Sequence, residues 1–337
     1  MKLITLLKTA KMRRFFTTAV LITIAILMGF SYGYLAHRNQ IFPYQHIKKA
    51  FLRNLYKNSM DWTIGIYEGS NPFNLSTPRD LENPVLSARD VHDVDAAFIA
   101  DPFMVEDQGM HFMFFEVMNL DSNTGDIGLA VSDDGKEWRY EKIILDEEFH
   151  VSYPAIYKWE GEFYMIPETG ENESVRLYKA VSFPDEWEYQ GNLLSGAPFY
   201  DPTLFYRDNL WWMFTSGVGN GDLNLFYSDS LFSGWQAHPM NPLVENKPDM
   251  ARPAGHVFEY ENSLFRLAQD DYPSYGIQVY AFEITELTTG SYKENSDSMI
   301  KMITMSGKGW NAVGMHHVDL HQKDGKWFAV VDGLKQR

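Results

Sequence analysis

The feature that most constrains the fold is a segment that the chain repeats. Residues 101–116, DPFMVEDQGMHFMFFE, and residues 201–216, DPTLFYRDNLWWMFTS, share an apolar run, a polar turn and a second apolar run. Residues 153–168 and 255–269 follow the same plan, and residues 317–333 repeat it near the C-terminus. A period of roughly 50 residues built from short apolar runs is the pattern of a β-propeller blade.

Each unit shows the alternation of apolar and polar residues that is typical of β-strands, with many aromatic and β-branched side chains. The turns DDG (133–135) and KDGK (323–326) supply the left-handed positions that tight hairpins require. A third strand-like run follows each of the first four units, at residues 127–132, 175–180, 223–228 and 277–282. We therefore predict an all-β, five-bladed propeller over residues 61–337.

The fifth unit stops after its second strand, and the N-terminal part of the body contains matching sequence. Residues 62–74, WTIGIYEGSNPFN, resemble the third strands of the other units, and residues 82–90, ENPVLSARD, resemble residues 240–249, MNPLVENKPD. We predict that residues 62–90 complete the fifth blade, so that strands from both ends close the ring and leave no open sheet edge. A stacked β-helix is the alternative, but its repeats are much shorter.

Charge separates the N-terminal segment from the rest of the chain. Residues 1–57 contain ten Lys and Arg residues and no acidic residue, whereas the remainder carries 19 basic against 45 acidic residues. A body this acidic repels phosphate backbones, which argues against nucleic acid as a partner. The chain contains no cysteine, so an extracytoplasmic body must rely on its buried core for stability.

Residues 15–36 carry no charge and predict a membrane anchor. As a helix, this stretch spans ~33 Å, enough to cross a bilayer core. A cleaved signal peptide is the alternative, although its apolar region is usually shorter. The basic residues 1–14 indicate a cytoplasmic N-terminus and an extracytoplasmic body. Residues 37–60 form a juxtamembrane stalk, either a helix lying on an anionic membrane surface or an ordinary stalk helix.

The repeat also predicts where a functional site lies. In a propeller blade the first strand lines the central channel and the second runs antiparallel to it, so the start of one meets the end of the other at the same rim. The expected starts of the first strands are Asp101, Tyr153, Asp201, Arg252 and His316. The expected ends of the second strands are Glu116, Glu168, Ser216, Gln269 and Asp332. We predict that these residues form one carboxylate-rich funnel.

Several acids in one cavity shift each other's pKa values apart, which can separate an acid from a base. Arg252 and His256 would offset the negative charge and donate hydrogen bonds to a bound hydroxyl or carboxylate group. Asp270 would line another side of the funnel. Tyr153 and Tyr200 lie next to rim positions and are candidates for stacking on a sugar ring. The alternative for each Asp-Pro pair is turn chemistry, and for most aromatic residues it is packing between blades.

The adjacent residues His316 and His317 do not predict a metal site. In a strand they would point to opposite faces, so both could not bind one ion. We expect neither a metal nor a cofactor in the funnel.

The motifs ADPF (100–103), YDPT (200–203) and SDDGKEW (132–138) resemble the five-bladed glycosidase clan of glycoside hydrolase families 43, 32 and 62. More closely, residues 62–294 resemble the N-terminal propeller domain of plant glucosamine inositolphosphorylceramide transferase and its microbial relatives. The phrases that carry this resemblance are YPAIYKWEGEFYMIPET and ARPAGHVFEYENSLFRLAQD. It includes neither the predicted anchor nor the separate transferase domain of the plant proteins.

The glycosidase resemblance implies that Asp101 acts as general base or nucleophile and that Asp201 modulates pKa values. The family places its general acid, a glutamate, at the start of the fourth blade, where this chain has Arg252. From the rim geometry we assign the acid to Glu168, with Glu116 as the second choice.

Three functions remain open at this point. The first is a membrane-anchored glycoside hydrolase or transglycosylase that acts on a surface or exported glycan through paired carboxylates. The second is a catalytically silent glycan-binding propeller that serves a partner glycosyltransferase in polysaccharide or glycolipid assembly. The third is a protein-interaction propeller.

Overall fold

The computed structural model describes residues 61–335, and these residues form five antiparallel β-sheets. Two short 3-10 helices, Gly170–Asn172 and Gly309–Asn311, are the helical segments of this part of the chain. Between residues 61 and 335 no helix is both long and apolar enough to span a membrane. The predicted cytoplasmic segment, membrane anchor and stalk lie outside the described residues.

The strands are short and follow one another in hairpins. In chain order they are β1 (Trp62–Gly69), β2 (Leu75–Ser76), β3 (Ala96–Asp107), β4 (Met110–Asn119), β5 (Thr124–Ser132), β6 (Arg139–Leu145), β7 (Ser152–Trp159), β8 (Glu162–Thr169), β9 (Ser174–Ser182), β10 (Glu186–Ser195), β11 (Tyr200–Arg207), β12 (Leu210–Ser216), β13 (Leu223–Ser228), β14 (Gln236–Ala237), β15 (Phe258–Tyr260), β16 (Ser263–Asp270), β17 (Gln278–Leu287), β18 (Tyr292–Glu294), β19 (Ile300–Thr304), β20 (Val318–Lys323) and β21 (Lys326–Leu334).

Each sheet is one blade of a propeller. Blade I is β3-β4-β5-β6, blade II is β7-β8-β9-β10 and blade III is β11-β12-β13-β14. Blade IV is β15-β16-β17-β18 with β19 also paired to β17, and blade V has the order β20-β21-β1-β2. The all-β, five-bladed architecture predicted from the repeat is confirmed.

Blade V contains strands from both ends of the described chain. Strand β1 pairs antiparallel with β21 along its whole length, from Trp62 opposite Leu334 to Gly69 opposite Trp327. Strand β2 then pairs with the end of β1. Residues from distant parts of the sequence therefore share one sheet.

An asparagine continues the sheet at equivalent places in blades V and III. Asn83 accepts a hydrogen bond from the backbone N–H of Ile66 and donates one to its carbonyl, each at 2.9 Å. Asn241 forms the same pair of bonds with the backbone of Leu225, each at 2.8 Å. A side-chain amide has one acceptor and two donor hydrogens, so it can replace a neighbouring strand. The similarity of ENPVLSARD to MNPLVENKPD therefore reflects a shared structural role.

The hydrophobic core lies between the blades rather than at one centre. Five clusters of buried side chains contain residues from successive blades, including blades V and I. Examples from the two sides of each cluster are Phe114 and Met165, Ile166 and Met213, Phe214 and Phe282, Leu267 and Val331, and Ile64 and Phe115. Because burying a large apolar side chain stabilises a fold by about 1.5–3 kcal/mol, each blade depends on both of its neighbours.

Candidate functional site

Blades I, II and III each present one residue of their innermost strand to the channel through the same backbone distortion. Asp101 was expected at a strand start but lies within β3, which begins at Ala96. Asp101, Tyr153 and Asp201 each precede a proline and have φ values of 52°, 47° and 49°. The strand pairing shifts register at each of these places. A bulge removes a residue from regular pairing and re-aims its side chain, and a left-handed conformation is unfavourable for residues other than glycine. The repeated distortion thus explains why the rim residues face the axis.

Arg252 lies among the carboxylates of blades II and III. Its Nε and Nη2 atoms donate to the two oxygens of Asp201, at 2.7 and 3.1 Å. Its Nη2 also donates to Oε2 of Glu168 at 3.2 Å. The guanidinium carbon lies 5.5 Å from the ring centre of Tyr200 and 5.6 Å from that of Tyr275. This bidentate, charge-assisted contact holds two buried acids on one cation.

Gln269 completes the environment of Asp201. Its Nε2 donates to Oδ2 of Asp201 at 2.7 Å and to the carbonyl of Pro253 at 2.9 Å. Each oxygen of Asp201 therefore accepts a hydrogen bond from a protein side chain. The predicted group of Asp201, Arg252, Gln269 and Glu168 is brought together.

His316 joins two acids on the blade V side. Its Nε2 lies 3.2 Å from Oδ1 of Asp101, and its Nδ1 lies 2.8 Å from Oδ2 of Asp332. The backbone N–H groups of His316 and His317 donate to Oδ1 of Asp332 at 2.9 and 3.0 Å. Burial alone would lower the pKa of His316, but Asp332 and Asp101 raise it well above its usual value. We therefore assign this ring as an imidazolium.

The acids of the pocket separate into two electrostatic classes. Burial would raise the pKa of Asp101, but the charge of His316 lowers it to about 2. Burial raises the pKa of Glu116 well above its usual value, and the charge of Asp101 adds to this effect. Burial and the charge of Asp201 likewise raise the pKa of Glu168, even though Arg252 opposes the shift. The pocket thus combines Asp101, whose pKa is lowered, with two glutamates whose pKa values are raised.

The structure corrects the expectation that His316 and His317 point to opposite faces. Nδ1 of His317 lies 3.9 Å from Oδ1 of Asp101, the oxygen that His316 also approaches. The reason is that both histidines precede β20, which begins at Val318, so strand alternation does not apply to them.

Asp101, His316 and Asp332 could together hold a metal ion, because one ligand atom from each lies within 4.8 Å of the others. Aspartate and neutral histidine are ordinary metal ligands. In this arrangement, however, both ring nitrogens of His316 face carboxylates, and the imidazolium already supplies the positive charge between them. A metal would have to displace that proton before it could bind.

Two predicted site residues bond to partners other than the acids of the pocket. Tyr153 is fully buried; its hydroxyl accepts from the backbone N–H of Gly255 and donates to Thr203, both at 2.7 Å. His256 lies 2.7 Å from Oδ1 of Asp319. Tyr153 therefore lacks a free face for a ligand, and His256 belongs to a separate group.

That separate group is centred on Asp319 and joins three blades. Asp319 accepts from the backbone N–H of Met104 at 2.9 Å, and Nε2 of His321 lies 2.8 Å from the same carboxylate. Burial would raise the pKa of Asp319, but His321 and His256 lower it. Asp319 thus links blades I, IV and V.

Tyr200 and Asp270 lie at the edge of the pocket. Tyr200 is partly buried beside Arg252, and a side chain at Gly170 would contact its ring. Asp270 accepts from the backbone N–H of Tyr272 at 3.1 Å and from Gln278 at 2.6 Å. Asp270 therefore orders the loop that carries Tyr272 and Tyr275 rather than facing the other acids.

Sequence reasoning missed several residues that complete the site. His150 approaches Glu116, Asn220 accepts from Arg252, and Trp62 packs against the ring of His316 at 4.2 Å. His150 and Asn220 lie in connections between strands, where no periodic pattern marks them. Trp62 begins β1, the strand that pairs with β21, and was predicted as part of blade V but not as a neighbour of the pocket.

One family model covers nearly all of the described body. The model described as "Glucosamine inositolphosphorylceramide transferase 1, N-terminal" matches residues 56–334. Glucosamine inositolphosphorylceramide transferase 1 of Oryza sativa subsp. japonica is 36% identical over 297 residues, which is 81% of this chain and 40% of that protein. The protein of the same name from Arabidopsis thaliana is 31% identical over 345 residues, 95% of this chain and 45% of that protein. The chain thus spans less than half the length of these relatives.

Solved structures with the same fold include enzymes that act on glycans. The catalytic domain of a family 62 α-L-arabinofuranosidase from Coprinopsis cinerea has a TM-score of 0.52 at 11% identity, over 69% of this chain and 90% of that chain. The α-L-arabinanase of Cellvibrio cellulosa, complexed with arabinohexaose, has a TM-score of 0.51 at 18% identity, over 69% and 86% of the two chains. At these identities the likeness establishes the propeller fold alone.

Proposed function

Because the chain belongs to the glucosamine inositolphosphorylceramide transferase 1 N-terminal family, we propose that its propeller binds the sugar end of a glycan or glycolipid. In this proposal the pocket around Asp101, Glu116, Glu168 and Asp201 recognises the glycan and supports a glycosyltransferase in glycolipid or polysaccharide assembly. The transferase activity named for the longer relatives supports this role.

The contact of Arg252 with Asp201 and Glu168 is the observation that carries the proposal. The glycosidase resemblance places the general acid where this chain has Arg252, and here the guanidinium group is bound to two acids. Such a network has fixed donors and acceptors, with the rings of Tyr200 and Tyr275 beside it. A few oriented polar groups next to aromatic surface suit a ligand rich in hydroxyl groups.

Hydrolysis or transglycosylation is the second candidate, and the electrostatics of the pocket favour it. Glycosidases pair an ionised carboxylate with a protonated one. Asp101 has a lowered pKa, whereas the pKa values of Glu116 and Glu168 are raised. Asp101 would act as base or nucleophile, and one of the glutamates would protonate the leaving oxygen.

We also propose that residues 15–36 anchor the chain in a membrane with the propeller on the extracytoplasmic side. The uncharged stretch and the preceding basic residues support this location. An anchored propeller would meet a glycolipid or an exported glycan close to the membrane surface.

The test compares binding with turnover on the same ligands. The full chain in detergent would be titrated by calorimetry with arabinan, xylan and fructan fragments and with glycolipid headgroup glycans, and each mixture would be assayed for released sugar. We expect saturable binding without product, weakened at least tenfold by Asp101→Asn and unchanged by the exposed control Asp133→Asn.

Product that disappears with Asp101→Asn would establish the second candidate instead. Absence of binding to every glycan, with the propeller folded, would overturn both candidates and leave a protein-interaction role.

A further inference from the structure

His150 lies beside Glu116 in the connection between blades I and II. Nε2 of His150 is 3.4 Å from Oε1 of Glu116, and the two side chains are 33% and 8% exposed. Glu116 is otherwise surrounded by charges at longer range, from Asp101, His316, Arg252 and Asp201. Among the residues that the structure describes, His150 is the one basic side chain whose nitrogen lies within 4.0 Å of a Glu116 oxygen.

Three hydrogen bonds hold the connection that carries His150. The backbone N–H of Gly125 donates to Nδ1 of His150 at 2.9 Å, and the N–H of Val151 donates back to the carbonyl of Gly125 at 3.0 Å. The backbone N–H of His150 donates to Oε2 of Glu171 at 2.8 Å. The ring is therefore fixed by the adjoining blade edge.

These bonds also determine the tautomer of His150. Because Nδ1 accepts a hydrogen bond, the neutral ring must carry its proton on Nε2, the atom that faces Glu116. Burial lowers the pKa of His150 and favours this neutral ring, although the charges of Glu171, Asp101 and Asp201 act in the opposite direction. In this tautomer the protonated atom Nε2 is the ring atom that lies 3.4 Å from Oε1 of Glu116.

Gly125 leaves room for the side chain of His150 beside Glu116. A Cβ atom at Gly125 would lie 2.5 Å from the carbonyl oxygen of Val151, 2.7 Å from Cε1 of His150 and 3.0 Å from Oε1 of Glu116. Its backbone does not require glycine for a left-handed conformation, since it is absent from the residues with positive φ. Glycine is needed here because the carbonyl of Val151 and the side chains of His150 and Glu116 all approach this position closely.

We propose that His150 is a positioning residue that orients Glu116 towards the ligand through its Nε2–H group. The contact of 3.4 Å is long for a hydrogen bond, and such contacts commonly tighten when a ligand binds. The part of the inference that concerns glycan contact depends on the proposed function, whereas the orientation of Glu116 by His150 does not.

The first test needs no substitution. Nitrogen chemical shifts of His150 in the full chain would report its tautomer at neutral pH. We expect an acceptor at Nδ1 and a proton at Nε2, and a ring with its proton on Nδ1 would overturn the proposal.

The second test follows the titration of Glu116 by carbon NMR of its labelled carboxyl group, assigned with Glu116→Gln. His150→Asn retains an acceptor for Gly125 but loses the N–H at the Nε2 position, whereas His150→Gln keeps an N–H near that position. Because a donor stabilises the charged carboxylate, we expect His150→Asn to raise the titration midpoint of Glu116 by about one pH unit and His150→Gln to restore most of it. Equal midpoints in the three proteins, or equal shifts in both variants, would overturn the proposal.

A glycan measurement separates this inference from the proposed function. If the wild type binds a glycan, we expect His150→Asn to weaken binding at least fivefold and His150→Gln to weaken it much less. If the wild type binds none, the proposed function fails, but the titration of Glu116 still decides the role of His150.

Discussion

Asp101 combines a strained backbone with a charge that depends on one neighbour. Its φ of 52° places it in the left-handed region, and its carboxylate lies 3.2 Å from Nε2 of His316. Strain of this kind persists only where surrounding contacts compensate for it. The backbone N–H of Asp101 lies 3.3 Å from Oδ2 of Asp332, so the same carboxylate that holds His316 also holds this peptide.

The charge of Asp101 predicts how stability depends on pH. A pKa lowered from 3.8 to about 2 means that the folded state gains stability above the unfolded pKa and loses it as pH falls towards 2. Asp101→Asn removes this contribution, about 2 kcal/mol for a shift of this size. We therefore expect wild type to be more stable than the variant at pH 4 and the difference to shrink towards pH 2. Urea unfolding at both pH values measures it.

His316 gives the opposite dependence, which appears when the same unfolding measurement is extended to higher pH. Its pKa is raised, so its contribution is complete below the unfolded value and is lost as pH rises through the folded value. In Asp101→Asn this loss should begin at a lower pH, because one of the two stabilising carboxylates is gone. The exposed variant Asp133→Asn is the control. If the free energies of unfolding of wild type and Asp101→Asn differed by the same amount at pH 4 and pH 2, the assignment of charge to Asp101 would be contradicted.

At the scale of residues, the sequence predicted that the rim acids lie near one another but not the partners of every predicted site residue. Asp101, Glu168 and Asp201 follow from the repeat, which determines the rim that they reach, although Asp101 lies within β3 and not at its start. Tyr153 shares that position, yet its longer side chain reaches down to Thr203 and Gly255. Whether a rim side chain faces the pocket or extends into the channel depends on the volume available inside the channel, and the sequence of one blade does not specify that volume.

At the scale of strands and loops, two asparagines make contacts that a strand would otherwise supply. Asn83 satisfies both backbone groups of Ile66, and Asn241 does the same for Leu225. These two positions lie in the similar phrases ENPVLSARD of blade V and MNPLVENKPD of blade III. Alternation of apolar residues predicted the neighbouring strands, but it does not indicate where a side-chain amide makes the hydrogen bonds of a missing strand.

Replacing either asparagine should destabilise the propeller. Asn83→Ala and Asn241→Ala each leave a buried-strand N–H and C=O without their partner, which costs about 1–3 kcal/mol in the free energy of unfolding. The exposed Asn74→Ala is the control and should change stability by less than about 0.5 kcal/mol. Denaturant unfolding measures all three. A change no larger in Asn83→Ala than in Asn74→Ala would mean that water replaces the amide without loss.

Loops limited the prediction more than strands did. Arg252 and His316 were expected at strand starts, whereas β15 begins at Phe258 and β20 at Val318. Arg252 nevertheless reaches the pocket because its carbonyl accepts a hydrogen bond from the N–H of Gln269 at 2.9 Å. The period of the repeat located these residues, but the irregular backbone before blades IV and V depends on contacts with neighbouring blades.

At the scale of the whole molecule, stability depends on contacts between blades. Ile64 and Ile66 of β1 belong to the cluster that also contains Phe115 of blade I. The sequence predicted this arrangement because the fifth unit lacked outer strands and residues 62–90 resembled them. The composition of the blades could not predict which cluster forms between which blades, since every blade has similar aromatic and aliphatic faces.

The pairing of β1 with β21 leads to a prediction about the order of the chain. The N–H of Lys335 lies 3.3 Å from the carbonyl of Asp61, so a two-residue Asn-Gly turn could join these residues. A permuted chain would run from Asp93 to Lys335, through this turn, and from Asp61 to His92, opening a connection where His92 and Asp93 are exposed.

We expect the permuted chain to unfold cooperatively with a midpoint close to that of residues 61–335, because every blade keeps its strands. The fragment 93–335 should lose the cooperative transition, since it exposes the edge of β21 and removes Ile64 and Ile66 from the cluster with blade I. Urea unfolding followed by tryptophan fluorescence and circular dichroism distinguishes the three chains. If the fragment unfolded at the same midpoint and with the same slope as residues 61–335, the strands from the N-terminal side would not be needed to complete the propeller.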